Sequence, residues 1–255
     1  MRTVLVIGMG AGDPDYMTAQ AVAGLNAADV LFVLEKADEQ QDLIALRREI
    51  CDRFVDGEGP RVVAAQDPPR RRGTTAAQQR AAVADWRRLR AELCERLIDA
   101  ELGAGGTGAF LVWGDPSLYD GLLDVLGQIA GRDAVTFELK VIPGISAPAA
   151  LAARHRIALN RPGGAVHLTT GRRLARGFPA EADDVVVMLD GDLAFKQVEG
   201  DHLEIFWGAY LGTPDEVLIA GPLREVEDEI ERVRAAARER KGWMFDTYLL
   251  RRRPA

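Results

Sequence analysis

Apolar residues fall into two rhythms along the chain, short unbroken runs and one-sided helical stripes, and over residues 1–150 the two take turns. Val4–Ile7 is an unbroken run ending in glycines, which predicts a strand buried on both faces. Thr18 can cap a helix reaching about Ala28, with Ala21, Val22 and Leu25 on one side. Val30–Leu34 is a second strand, and Asp42–Phe54 a helix whose stripe is Leu43, Leu46, Ile50 and Phe54. Arg61–Ala65 is a third strand. Two prolines and a glycine in residues 67–73 impose a loop. Thr75 then opens a long helix to about Leu102, with Val83, Trp86, Leu89, Leu93 and Leu97 inward. Ala109–Trp113 is a fourth strand, Leu118–Ala130 a helix, and Phe137–Ile142 a fifth strand stopped by Pro143.

Beyond Asn160-Arg161-Pro162-Gly163-Gly164 the rhythm changes. Val166–Thr169, Val185–Leu189, Leu203–Trp207, Val217–Ala220 and Asp246–Leu250 read as strands, with one clear helix, about Glu225–Arg240, before the last. The prediction is an α/β protein of two domains, residues 1–145 and 146–255. The first has a mostly parallel sheet with helices on both faces, because alternating strands and helices favour right-handed parallel crossovers. The second is smaller and has a mixed sheet.

Composition narrows the chemistry. A net charge of −7 argues against general nucleic-acid binding, although arginines cluster at Arg70-Arg71-Arg72 and at Arg172, Arg173 and Arg176. No apolar run approaches the roughly 18 residues of a membrane span. Cys51 and Cys94 sit in amphipathic helical patterns and read as free thiols; no metal-ligand spacing is present, so no metal is expected. A reducing cytoplasm fits these features.

Three turns rich in glycine or proline follow strand ends: Gly8–Pro14, Gly114-Asp115-Pro116 and Pro143–Ala147. In parallel sheets that edge is where ligands bind, and small residues let a ligand approach the backbone. Gly8, Gly10 and Gly12, with Glu35 roughly twenty residues on, imitate a dinucleotide fingerprint. The imitation breaks at Asp13, which stands where the third glycine belongs and would repel a pyrophosphate. A nicotinamide-dependent oxidoreductase is therefore the disfavoured alternative.

Taken together, GMGAGDPDYMT at 8–18, WGDPSLY at 113–119 and VIPGISA at 141–147 resemble the tetrapyrrole (precorrin) methyltransferase family over essentially the whole chain. Within it, DLIALRREIC at 42–51 and WGAYLGTPDEVLIAGPL at 207–223 are most similar to the member that methylates precorrin-5 at C1 and releases acetate. The resemblance implies that S-adenosylmethionine is held in a cleft between the domains and leaves as S-adenosylhomocysteine. It also implies a homodimer and a tetrapyrrole substrate. Other precorrin methyltransferases, and diphthine-type or RNA ribose methyltransferases of the same architecture, are the neighbouring alternatives. By position, Gly10 and Ala11 would meet the adenosine side. Trp113, Gly114, Asp115 and Leu118 would line the methionine portion, followed by Ser146 and Ala147. Met188 and Ala209 would close the adenine pocket. Many relatives have proline at the place of Ala11 and a further glycine at that of Trp113.

Methyl transfer to carbon is an in-line displacement governed by alignment and exclusion of water, so no catalytic triad is expected. Releasing an acetyl branch requires water to attack a carbonyl, which a general base would assist. Glu35 is the first candidate; Asp13 and Tyr16 follow. Glu35 could instead pair with Lys36 or Arg47, and Asp13 could cap the next helix. Arg70, Arg71 and Arg72 are candidates for the substrate's carboxylates, since the guanidinium fork pairs with them bidentately; a solvated loop is the alternative.

Overall fold

The computed structural model describes residues 1–35, 41–71, 73–132 and 134–253, without side chains at 41–43 and 76. It separates into two compact units. One comprises Met1–Gly10 with Pro14–Ile145, the other Ala11–Asp13 with Ser146–Ala255.

The first unit runs β1 (Arg2–Gly8), α1 (Ala19–Asn26), β2 (Val30–Glu35), α2 (Gln41–Phe54), β3 (Arg61–Gln66), α3 (Ala76–Glu101), β4 (Thr107–Val112), α4 (Leu122–Ala130) and β5 (Phe137–Ile142). Its five strands pair in the order β3-β2-β4-β1-β5, and every pairing is parallel. Side chains alternate across the strands, so each face buries its own set. Val4, Val6, Phe32 and Phe110 pack with α3 and α4; Leu5, Ile7, Leu31 and Leu111 pack with Leu25 of α1 and Ile50 of α2. The connections leaving the neighbours β1 and β4 thus go to opposite faces, which places a topological switch point at their carboxyl ends.

The helix starts are local chemistry. Thr18 Oγ1 accepts from the Ala21 N–H at 3.0 Å, so Thr18 and not Asp13 caps α1. Thr75 and Gln78 form a capping box on α3. Two expectations need correction. The helix expected from Leu118 begins at Leu122, because Tyr119 and Gly121 adopt left-handed backbone (φ 59° and 85°) and Asp120 accepts from the Leu122 N–H at 2.9 Å. The buried face of α3 is Ala91, Cys94 and Ile98, while Val83, Trp86 and Leu89 are only half-buried. At 1.5 Å per residue α3 is about 39 Å long, nearly twice a six-residue strand. Its first half therefore covers the loop after β3, where the Trp86 indole donates to the Pro68 carbonyl at 2.9 Å.

The second unit contains α5 (Ala147–His155), β6 (Val166–Thr170), α6 (Gly171–Leu174), β7 (Asp184–Met188), β8 (Leu203–Ala209), β9 (Val217–Pro222), α7 (Leu223–Lys241) and β10 (Asp246–Arg252). Its sheet has the order β6-β7-β10-β8-β9 and is mixed: β6 and β7 are parallel, and the other pairings antiparallel. Val185, Val187, Ile205, Trp207 and Tyr248 form its core with Leu223 and Ile230 of α7. The single helix expected here is joined by α5 and the four-residue α6. Proline hid α5: Pro148 at its second position costs no hydrogen bond there.

Candidate functional site

In the first unit the carboxyl ends of β1, β4 and β5 bring the three small-residue turns into contact. Gly10 and Gly114 exchange backbone hydrogen bonds, Gly114 N–H to the Gly10 carbonyl at 2.8 Å and Gly10 N–H to the Gly114 carbonyl at 3.3 Å. A Cβ on Gly8 would lie 2.5 Å from the Gly144 nitrogen and 2.8 Å from the Gly114 oxygen, so only glycine allows this approach. Gly114, itself buried, is at φ 67° and would point a Cβ into open space.

One carboxylate locks the turns together. Asp115 accepts from the Ser117 N–H at 2.8 Å, from the Ser117 hydroxyl, and from the Gly144 N–H at 3.0 Å. Burial pushes its carboxyl up, but these three donors outweigh that and hold it below its usual range. Leu118 closes the same turn, its N–H donating to the Asp115 carbonyl at 3.1 Å. Trp113 is half-buried against the core layer beneath α1 and α2. The Tyr16 side chain sits where a Cβ of Gly10 would be. Asp13 is half-buried.

Glu35 ends β2, which β4 separates from β1, and its carboxylate accepts from the Gln66 amide at 2.7 Å. The Arg70 guanidinium lies 5.6 Å from the centre of the Trp86 ring, and Arg71 is exposed. Arg72 and Lys36 lie outside the described residues.

In the second unit, Met188 ends β7 opposite Thr247, and Ala209 ends β8 opposite Asp246, so both lie at one edge of the sheet flanking the start of β10. Each is followed by a left-handed non-glycine residue, Leu189 (φ 54°) and Tyr210 (φ 50°). Such backbone persists only where its surroundings impose it, and a buried polar network does so after Met188. Asp190 accepts from Tyr248 Oη at 2.6 Å and from the Ala194 N–H at 2.8 Å, and its carbonyl accepts from Arg234. Arg234 and the Trp207 indole both donate to Asp246 at 3.0 Å. Burial raises the Asp246 carboxyl against the opposing pull of Arg234, and raises the Tyr248 phenol, which also faces Asp190. Sequence reasoning missed this network, whose members are spread over residues 190–248 with no motif. Ala11 and Gly12 belong to this unit, where a Cβ on Gly12 would run into the Leu211 carbonyl. Ser146 caps α5, accepting from the Ala149 N–H at 3.4 Å, and Ala147 is the first helical residue.

Residues 3–227 match the family described as Tetrapyrrole (Corrin/Porphyrin) Methylases. The chain is 48% identical over 252 residues to a protein of Sinorhizobium sp described as precorrin-6A synthase [deacetylating], covering 99% of this chain and 96% of that one. Among solved structures, one described as a cobalamin synthesis related protein (CobF) from Corynebacterium diphtheriae superposes with a TM-score of 0.86 at 38% identity, covering 100% of both chains. Uroporphyrin-III C-methyl transferase from Thermus thermophilus, complexed with S-adenyl homocysteine, superposes at 0.60 over 97% of this chain and 91% of that one. At 17% identity the latter likeness concerns the fold alone.

Proposed function

We propose, on the premise that this chain belongs to the tetrapyrrole (corrin/porphyrin) methylases, that it methylates precorrin-5 at C1 and releases acetate to give precorrin-6A in cobalamin biosynthesis. The observation that carries methyl transfer is the corner at Gly8, Gly114 and Gly144, whose backbone is packed to the limit on its inner side and open at Gly114. The 48% identity to a precorrin-6A synthase supports the choice of substrate.

A backbone edge without side chains suits a ligand whose reactive atom must be held closely while water is kept out. S-adenosylmethionine, when bound, supplies a methyl group already activated for displacement. In the first unit, Gly10, Trp113, Gly114, Asp115 and Leu118 are the proposed contacts of this cofactor. In the second unit they are Ala11, Ser146, Ala147, Met188 and Ala209. Asp115 acts chiefly as a clamp, since both its oxygens are already engaged by Ser117 and Gly144. Glu35 is the proposed base for acetyl release, with Asp13 and Tyr16 next in order, and Arg70, Arg71 and Arg72 are the proposed partners of the substrate's carboxylates. The protein is proposed to work in the cytoplasm as a homodimer, a state that light scattering reports directly.

Calorimetry with S-adenosylmethionine and with NADH, followed by mass spectrometry of the product from precorrin-5, tests the reading. Saturable binding of the sulfonium cofactor alone, and a product that has gained a methyl and lost an acetyl group, is the expected result. A methylated product that keeps its acetyl branch would move the assignment to another precorrin methyltransferase, and binding of NADH alone would overturn it.

A further inference from the structure

The second unit carries a pocket of about 170 Å³ beside β6 and α6, lined by His167, Thr169, Arg173 and Arg176 with Leu174 and Pro179. His167 and Thr169 alternate along β6 and so share one side of the sheet; the arginines come from α6 and the turn after it. Every polar side chain lining this pocket can donate a hydrogen bond, and no carboxylate lines it. Arg154, Arg161, Arg224, Arg234 and Arg251 of the same unit each pair with an acidic residue. Among the described residues neither Arg173 nor Arg176 does; both are exposed, as are other unpaired arginines of the unit such as Arg172 and Arg232. Thr169 is only 4% exposed, and its hydroxyl has no hydrogen-bond partner among the described residues. The Thr169 hydroxyl lines the pocket and the two exposed arginines stand beside it, so all three can turn donors toward one anion with no acidic group competing for them.

We propose that this pocket is an oxyanion-binding site that holds one carboxylate or phosphate group through Arg173, Arg176 and the Thr169 hydroxyl. It shares no residue with the glycine corner and does not depend on the proposed methyl transfer. The oxyanion has two sources, a free small anion or a carboxylate arm of the tetrapyrrole; only the second rests on the function proposed above.

The test is calorimetry on the full chain at constant ionic strength, with inorganic phosphate and with uroporphyrin, a stable polycarboxylate tetrapyrrole, as probes. The parent should bind phosphate saturably where chloride does not compete. R173A/R176A should bind it roughly tenfold more weakly or worse, as expected on losing charge-assisted bonds. Thr169→Val, which keeps the shape and removes only the hydroxyl, should weaken it several-fold. Thermal melts confirm that both variants fold. Displacement of phosphate by uroporphyrin assigns the site to a substrate arm, and its absence assigns it to a free anion. Failure of the parent to bind either probe, or equal binding by R173A/R176A, overturns the site. S-adenosylmethionine affinity, measured alongside, should be unchanged in the variants; its absence from the parent would count against the methyltransferase reading alone.

Discussion

Asp115 shows how much one side chain can decide. Its carboxylate ties the turn after β4 to the turn after β5, and the three donors that hold it below the usual carboxylate range are those two turns. A carboxyl whose folded value is lowered adds stability that is complete above its unfolded value, about 3.9, and is lost as pH falls through the folded value. Asp115→Asn should therefore be less stable than the parent at neutral pH, with the gap closing below about pH 4. Urea melts across pH measure this, and a gap independent of pH would mean that the charge is irrelevant. Glu35 is a different case, bonded to Gln66 at the end of β2. Glu35→Gln should slow acetate release by roughly two to four orders of magnitude if the carboxylate is the general base, while transfer of the methyl group continues. Release at the parent rate would remove it from the chemistry.

Among the elements, the three parallel strands β4, β1 and β5 matter most, because their register delivers Gly8, Gly114 and Gly144 to one place. Val112 stands opposite Gly8 and Ile142 opposite Ile7, so the turns that follow leave the sheet side by side. Gly8→Ala would put a methyl group against the backbone of both neighbouring turns. Neither can yield as a side chain would, so the expected loss is about 1–3 kcal/mol of stability, with S-adenosylmethionine affinity falling at least tenfold. Denaturant melts with calorimetry check both, and an alanine variant that binds as well as the parent would show that the tight corner is mere packing. In the second unit the turn after Met188 is held by Asp190, Tyr248, Arg234 and Asp246, a network in which each buried polar group has its partner. Full satisfaction is what allows charges to sit there at tolerable cost.

The whole molecule carries a net negative charge yet is expected to bind a polycarboxylate, so its cationic groups must be local. The loop after β3 and, among the described residues, the pocket beside α6 are such places. In the loop, Arg70 lies over Trp86 and Arg71 is exposed. Replacing Arg70, Arg71 and Arg72 together by alanine should raise the KM for the tetrapyrrole about tenfold or more, since charge-assisted pairs are lost, and leave cofactor affinity unchanged. Steady-state kinetics decide it, and an unaltered KM would assign the arginines to solvent. The alanine changes also remove the Arg70 contact with Trp86, so a thermal melt must accompany the kinetics.

What the sequence determined by itself was whatever depends on neighbours along the chain. The ten strands of the described residues are legible because their apolar runs are unbroken or alternate, and Thr18 and Thr75 are legible caps because a hydroxyl needs only the N–H three residues on. The glycine and proline turns, and through their order the family, are legible for the same reason. The tertiary structure decided what depends on partners distant in the chain. It set the face of α3 that is buried, because the helix outruns the sheet it covers, and it hid the start of α5 behind a tolerated proline. It gathered Asp190, Arg234, Asp246 and Tyr248 into one network. It also made Gly8, in the first turn but not among the cofactor contacts expected from sequence, the residue on which two other turns close, since strand order and not spacing puts β1 between β4 and β5.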